Sequence, residues 1–338
     1  NGTTDSAPAT VSINVQSGTL TAYTWNSAVS GNWNDGTKWT PSLPATAGLA
    51  HYALNFTTSG TYTATQDLSN GFQLNQLNTA ANVTLAGTNS VSFVANGSSL
   101  PQFNQNGPNT VTVTHPISLQ AMTSVGGSGF GTVSLTGTIS GSGGIIKNNY
   151  GILSIDQNNT YSGGTIINAG TLAIGDQMNG ALGTGPVTLN GGTLFLGRIN
   201  AANPLTVSGG KIHSDGGWGN TWNGPVTLNG NLTVDVPYYD RMFFSGNISG
   251  DGGLIVQANS TNPDHAVNLS GTNTYSGRTS VTTGQLTCTT SAALGSGFLD
   301  IASGAKVNLN YTGSRTIASL TLGGTVMPPG TYGSTASP

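Results

Sequence analysis

The residues of this chain best equipped for chemistry gather in its second half. The stretch "VDVPYYDRMFFSG", residues 234–246, is the most charge-dense, with Asp235, Asp240 and Arg241 around Tyr238 and Tyr239. Two carboxylates beside a guanidinium could hold Ca²⁺ and draw a proton from an acidic sugar, as a polysaccharide lyase does. The plainer reading is a loop whose tyrosines cover a neighbouring turn while Arg241 pairs with an Asp. No other acid recurs beside it, so hydrolysis by paired carboxylates is no better supplied. Upstream, "KIHSDGGWGNTW" places His213 and Asp215 before Trp218 and Trp222, which lie four apart in a Gly-rich run. Aromatic faces with a few convergent polar groups make a sugar-binding patch; packing of a protruding loop is the alternative.

The remaining candidates are weaker. Asp264 and His265, in the segment "NSTNPDHAV", read as a solvated loop. "GDGG" at Gly250 is similar to one calcium-binding nonapeptide, but a single copy cannot build a site shared by adjacent turns. No Walker loop, nucleophile elbow or zinc motif occurs. The single cysteine, Cys288, excludes an intrachain disulfide and any cysteine-rich metal site. Its strand-like setting, "GQLTCTTS", predicts a buried, inert thiol. Sequons such as Asn82-Val-Thr and Asn231-Leu-Thr are expected by chance in a chain this rich in Asn and Thr. These residues predict no enzyme, no cofactor and no bound metal.

The elements that must carry such residues are short strands. Of 338 residues 51 are Gly, about twice the usual share, while charged residues make up only 6%. All eleven acids are Asp. Missing Glu and scarce Lys remove helix formers, whereas abundant Thr, Asn, Gly and Ser suit strands and turns. Four Lys and four Arg, scattered along a chain of net charge −3, do not make a phosphate-binding surface, so no nucleic-acid partner is expected. No apolar run reaches the roughly 18 residues of a membrane-spanning helix, and no membrane insertion is expected. The chain opens without Met or a leader, which suggests a segment of a longer polypeptide.

Residues 1–20 form an arm in which Ala9 to Val15 alternates as a strand, with Val11, Ile13 and Val15 on one face. This is either the last strand of a preceding domain or an arm that adds to another sheet, a candidate for self-association. Residues 21–60 hold Trp25, Trp33 and Trp39, separated by turn residues. They read as an aromatic plug capping the end of a β-structure, with a sugar-stacking platform as the alternative. Over 61–338 strand-like runs recur every eight to twelve residues, such as "TYTAT", "NVTLAG" and "NTVTVT".

An internal repeat relates residues 138–196 to 247–309. Ile139 to Ile248 spans 109 positions and Tyr161 to Tyr275 spans 114. A drifting offset suits a stacked array, where an insertion becomes a loop on one face. The picture is an all-β fold, a parallel β-helix or β-solenoid. Ile166, Leu172, Ile174, Val187, Leu189, Leu194 and Leu196 point inward, with polar ladders outside and Gly at the corners.

The segments "NNTYSGGTIINAGTL" and "SGTNTYSGRT…TTGQL" resemble autotransporter-associated β-strand repeats of bacterial passenger-type surface proteins. That pattern runs Gly-x-Asn-Thr-Tyr-Thr-Gly-Gly-Thr and, a few residues on, Gly-Thr-Leu. It falls on Asn159, Thr160, Tyr161, Gly163, Gly164, Thr165, Gly170, Thr171 and Leu172, and again on Gly271, Asn273, Thr274, Tyr275, Gly277, Thr279, Gly284 and Leu286. Arg278 replaces the second Gly and Gln285 the Thr of Gly-Thr-Leu. The Trp-rich opening and the closing "LTLGGTVMPPGTYGSTASP" are also similar to segments of such proteins. The resemblance implies a right-handed parallel β-helix, secretion to the cell surface, and a structural or adhesive role with no particular ligand. The membrane barrel of true autotransporters is absent from this sequence, so self-export is not implied.

Three expectations follow, in order. The first is a structural module of a surface fibre, sheath or adhesin whose partner is itself. The second is a carbohydrate-binding module using Trp218, Trp222, Tyr238 and Tyr239 on surface glycans. The third is a polysaccharide lyase.

Overall fold

Alternation of apolar and polar residues over three to five positions gives strands too short to stand alone, so they stack. The computed structural model describes residues 18–237 and 239–333; Val11, Ile13, Val15 and Tyr238 lie outside the described residues. Within them the chain forms 37 short strands and two single-turn 3₁₀ helices, Gly36–Lys38 and Pro263–His265, with no α-helix. The strands pair in parallel, apart from an antiparallel pairing at each end of the stack, to give a β-solenoid of about 12 turns. At ~4.8 Å per turn the rod is roughly 60 Å long.

Each turn presents up to three faces. The first is a 12-stranded sheet running from the Trp-rich segment to Ile248–Gly250, and the second a 15-stranded sheet running from Gly31–Asn32 to Thr325–Val326. The third is carried by two shorter sheets, Phe72–Leu74 to Ile139–Ser140 and Asn200–Ala201 to Lys306–Leu309. Between those two sheets the third face is made of loops, residues 156–164 and 175–186.

The inward rows hold the rod together. On the second sheet Leu153, Leu172, Leu194, Ile212, Val234, Val256 and Val281 stand rung above rung, all buried. Burying each aliphatic side chain contributes about 1.5–3 kcal/mol. Ile166 faces outward instead, because Thr165 and Ile167 occupy the inward positions of its strand. Outward rows pair laterally: Asn78 donates to Asn55 (2.8 Å) and Asn104 to Asn78 (2.9 Å), and Asn168 and Asn190 extend a second ladder from Asn148.

The Trp-rich segment continues this architecture, since Thr21–Trp25 pairs in parallel with Tyr52–Phe56. Trp25, Trp33 and Trp39 are buried; Trp39 lies edge-on to both other rings, and its indole N–H donates to the Trp33 carbonyl (2.8 Å). With no ring face open to solvent, they form a packed plug. They are not a sugar platform.

The two repeat copies do not lie one above the other. In the first, Ile139–Ser140 is on the third face, while Ile145–Lys147 and Thr165–Ile167 are on the first. In the second, Ile248–Gly250 is on the first face, while Leu254–Ala258 and Thr279–Thr283 are on the second. The unit recurs five turns later and one face further round.

Candidate functional site

The charged residues of the second half lie on and beside the second sheet. His213, in strand Lys211–Asp215, faces outward, and its Nδ1 lies 2.8 Å from Asp235 Oδ2. Lys211 Nζ approaches the same oxygen at 3.5 Å. One face of the His213 ring stacks on Phe195, centroid to centroid 4.9 Å.

Beyond Asp215 the chain leaves the sheet as a loop, residues 215–219, held by a buried polar knot. Asp240 accepts from the Ser214 hydroxyl (2.9 Å) and the Gly219 N–H (2.8 Å). Asn220 accepts the Ile199 N–H (2.7 Å) and donates to Ser214 Oγ (2.8 Å) and the Asp215 carbonyl (3.0 Å). Buried polar groups need such partners, and here they fasten the loop to its turn. Asp240 is thus enclosed while Asp235 faces outward to His213, and Arg241 reaches toward Asp264 (3.9 Å). The two carboxylates do not converge, which removes the arrangement a lyase reading requires. Among the described residues no three His, Cys, Asp or Glu side chains group as metal ligands.

The aromatic candidates separate. Trp222 is fully buried in strand Asn220–Trp222, and its indole N–H donates to the Asn203 carbonyl (3.0 Å). Alternation turns Asn220 and Trp222 inward and Thr221 outward, so Trp222 offers no ring to a ligand. Trp218, on the loop, is 73% exposed, as is Tyr239. Tyr239 takes a left-handed backbone (φ +69°) and meets His265 edge-on at 5.4 Å.

One feature escaped the motif reading. At the corner after the second sheet lies an open trough of about 500 Å³, with Ala173, Phe195, Arg198, Asp176 and Asp215 among its lining. Arg198 Nε donates to Asp176 (2.8 Å), and the second guanidinium nitrogen pairs with the same carboxylate. The signal was present in "GTLFLG": an aromatic residue between inward Leu194 and Leu196 must face out.

The Asn, Tyr and Leu residues of the repeat are inside. Asn159 accepts the Ile139 N–H of the preceding turn (2.7 Å) and donates to the Ala181 carbonyl of the following one (2.9 Å). Asn273 does the same between Ile248 (2.7 Å) and Ala293. The hydroxyls of buried Tyr161 and Tyr275 lie 2.6 and 2.8 Å from Thr165 and Thr279 Oγ1. Burial pushes both phenols above their ordinary range. Gly170 and Gly284 share φ of +68° and +69°, where an added Cβ would sit 2.3 and 2.2 Å from a main-chain oxygen of the neighbouring turn.

Two stretches, residues 145–174 and 267–287, match the family described as passenger-associated-transport-repeat. Over these two stretches the chain is similar to passenger-associated transport repeats. No match emerges among the curated proteins or among the solved structures. In both repeats the signature Asn ties three successive turns together, and the signature Tyr and Leu are buried beside it, while Thr160 and Thr274 face solvent. Cys288, at the end of the second, is also buried, its thiol pushed up to about 12. The repeat matches and the β-solenoid fit a passenger-type surface protein. No helix among the described residues is long and apolar enough to cross a membrane.

Proposed function

We propose that this chain is a rigid rod segment of a secreted bacterial surface protein, a fibre, sheath or adhesin that works through shape and association of its ends. One observation supports this above the others: the repeat residues lock turn to turn and none is held for a reaction. The alternating apolar sequence of Val11, Ile13 and Val15 is the proposed donor in association. The outer edge of Lys306–Leu309, which meets no further strand among the described residues, is the kind of edge that accepts one. Electron microscopy and analytical ultracentrifugation of the purified chain should reveal end-to-end assemblies that dissociate when residues 1–18 are deleted. Unchanged assembly after the deletion would remove the arm from the proposal, and a strictly monomeric parent would remove association altogether.

A second reading is favoured by the two exposed rings, Trp218 and Tyr239, on neighbouring loops of one side. There the chain binds surface glycans. Trp218→Ala should abolish retention of the chain on a glycan array, and a parent protein that no glycan retains would end this reading.

A further inference from the structure

The outward row of the second sheet runs Ser134, Ser154, Ala173, Phe195, His213, Asp235. The small side chains of Ser154 and Ala173 precede a phenyl ring, leaving about two rungs, ~10 Å, with little bulk beside it. His213 stacks on one face of Phe195, and no aromatic partner among the described residues takes the other. That free face turns toward Ala173 and into the trough. The trough's volume of about 500 Å³ is within the range of clefts that hold small ligands.

The walls are polar. Arg198 and Asp176 form a fixed pair on one side, and the Asp215 carboxylate accepts a hydrogen bond from the adjacent Gly216 N–H. Carboxylates outnumber the guanidinium here, which disfavours an anionic ligand. Gly216 lies against Arg198, where an added Cβ would be 3.0 Å from the Arg198 nitrogen, so the loop bearing Trp218 rises directly from the trough wall.

The geometry points to a binding subsite for a neutral pyranose unit of a glycan, stacked on the free face of Phe195 over Ala173 and hydrogen-bonded by Arg198, Asp176 and Asp215. It rests on the glycan reading above and adds to it the place and the class of sugar. Four of the five tryptophans are buried, so Trp218 is the one whose fluorescence a ligand at this rim can change.

The test titrates the full chain with neutral hexasaccharides (cello-, malto-, laminari-, manno- and xylohexaose) and with hexagalacturonate, by tryptophan fluorescence and calorimetry. At least one neutral series should saturate, and hexagalacturonate should not. Ala173→Leu, which fills the trough, and Phe195→Ala, which removes its platform, should each weaken binding at least about tenfold with far-ultraviolet dichroism unchanged. Binding that survives Ala173→Leu but is lost in Trp218→Ala overturns the trough and leaves the exposed aromatics as the site. Binding of hexagalacturonate alone overturns the assignment to neutral sugars. If no hexasaccharide binds the parent chain, the trough and the glycan reading both fall.

Discussion

The two repeat copies make a controlled comparison, because one sequence pattern has been placed at two positions around the same rod. The copy over residues 138–196 crosses from the third face to the first and second, whereas that over 247–309 crosses from the first to the second and third. Asn159 and Asn273 nevertheless make the same bridges, Tyr161 and Tyr275 the same hydroxyl contacts, and Gly170 and Gly284 the same left-handed corner. The motif therefore specifies a corner of a turn and its bond to the turns above and below. It does not specify a face.

The differences between the copies are equally local, and they come in compensating groups. Gly164 of the first copy has φ +87° and lies against Pro186. Its counterpart Arg278 crosses the ring of Phe298, which replaces Pro186, at 5.2 Å and pairs with Asp300, which replaces Thr188. Inside, Lys147 and Asn149 stand where the second copy has Val256 and Ala258. The Lys147 ammonium is buried without an acid and donates to the carbonyl and side-chain oxygen of Asn149 and to the Ala169 carbonyl (3.3 Å). Phe195 aligns with Asn308, so the trough belongs to one copy only.

If the copies are mechanically equivalent, removing the bridging amide should cost the same in each. Asn159→Ala and Asn273→Ala each strand two buried main-chain groups, and each should lower stability by about 2–5 kcal/mol in urea unfolding. A difference of more than about 2 kcal/mol between them would break the equivalence.

The next effect separates the copies. Burial lowers the Lys147 ammonium from its ordinary 10.5 to about 8. Between those values the unfolded chain carries more proton than the folded one, so stability should rise with pH from about 8 to 10.5, by about 3 kcal/mol, and be flat below. Lys147→Val with Asn149→Ala reproduces the second copy's pair. It should raise stability by about 1–2 kcal/mol at pH 7 and erase the rise above pH 8, read by thermal unfolding across that window. A rise that persists in the double variant would place its origin elsewhere. The smallest effect is on the surface: Arg278→Gly should cost about 1 kcal/mol, and less in 1 M salt, where the exposed pair with Asp300 is screened. A salt-independent loss would assign the stabilisation to the stacking on Phe298.

Much of this was legible in the residues themselves. Alternation told which side chains of "GTLFLG" go in and which out, Gly and Asn marked the corners, and the absence of Glu and of long apolar periodicity excluded helices. Those are local properties, decided within a few positions by backbone geometry and solvent. Alternation could likewise have assigned Trp222 inward from its strand, had the four-residue spacing to Trp218 not suggested a shared surface. What only the stacking of turns decided is everything that joins residues about twenty positions apart. Ser154, Ala173, Phe195 and His213 become neighbours because each intervening turn closes with the length its loops allow. The placement of the second repeat one face round from the first, the separation of Asp235 from Asp240, and the trough at Phe195 all arise from that summed geometry, which no single stretch of the chain contains.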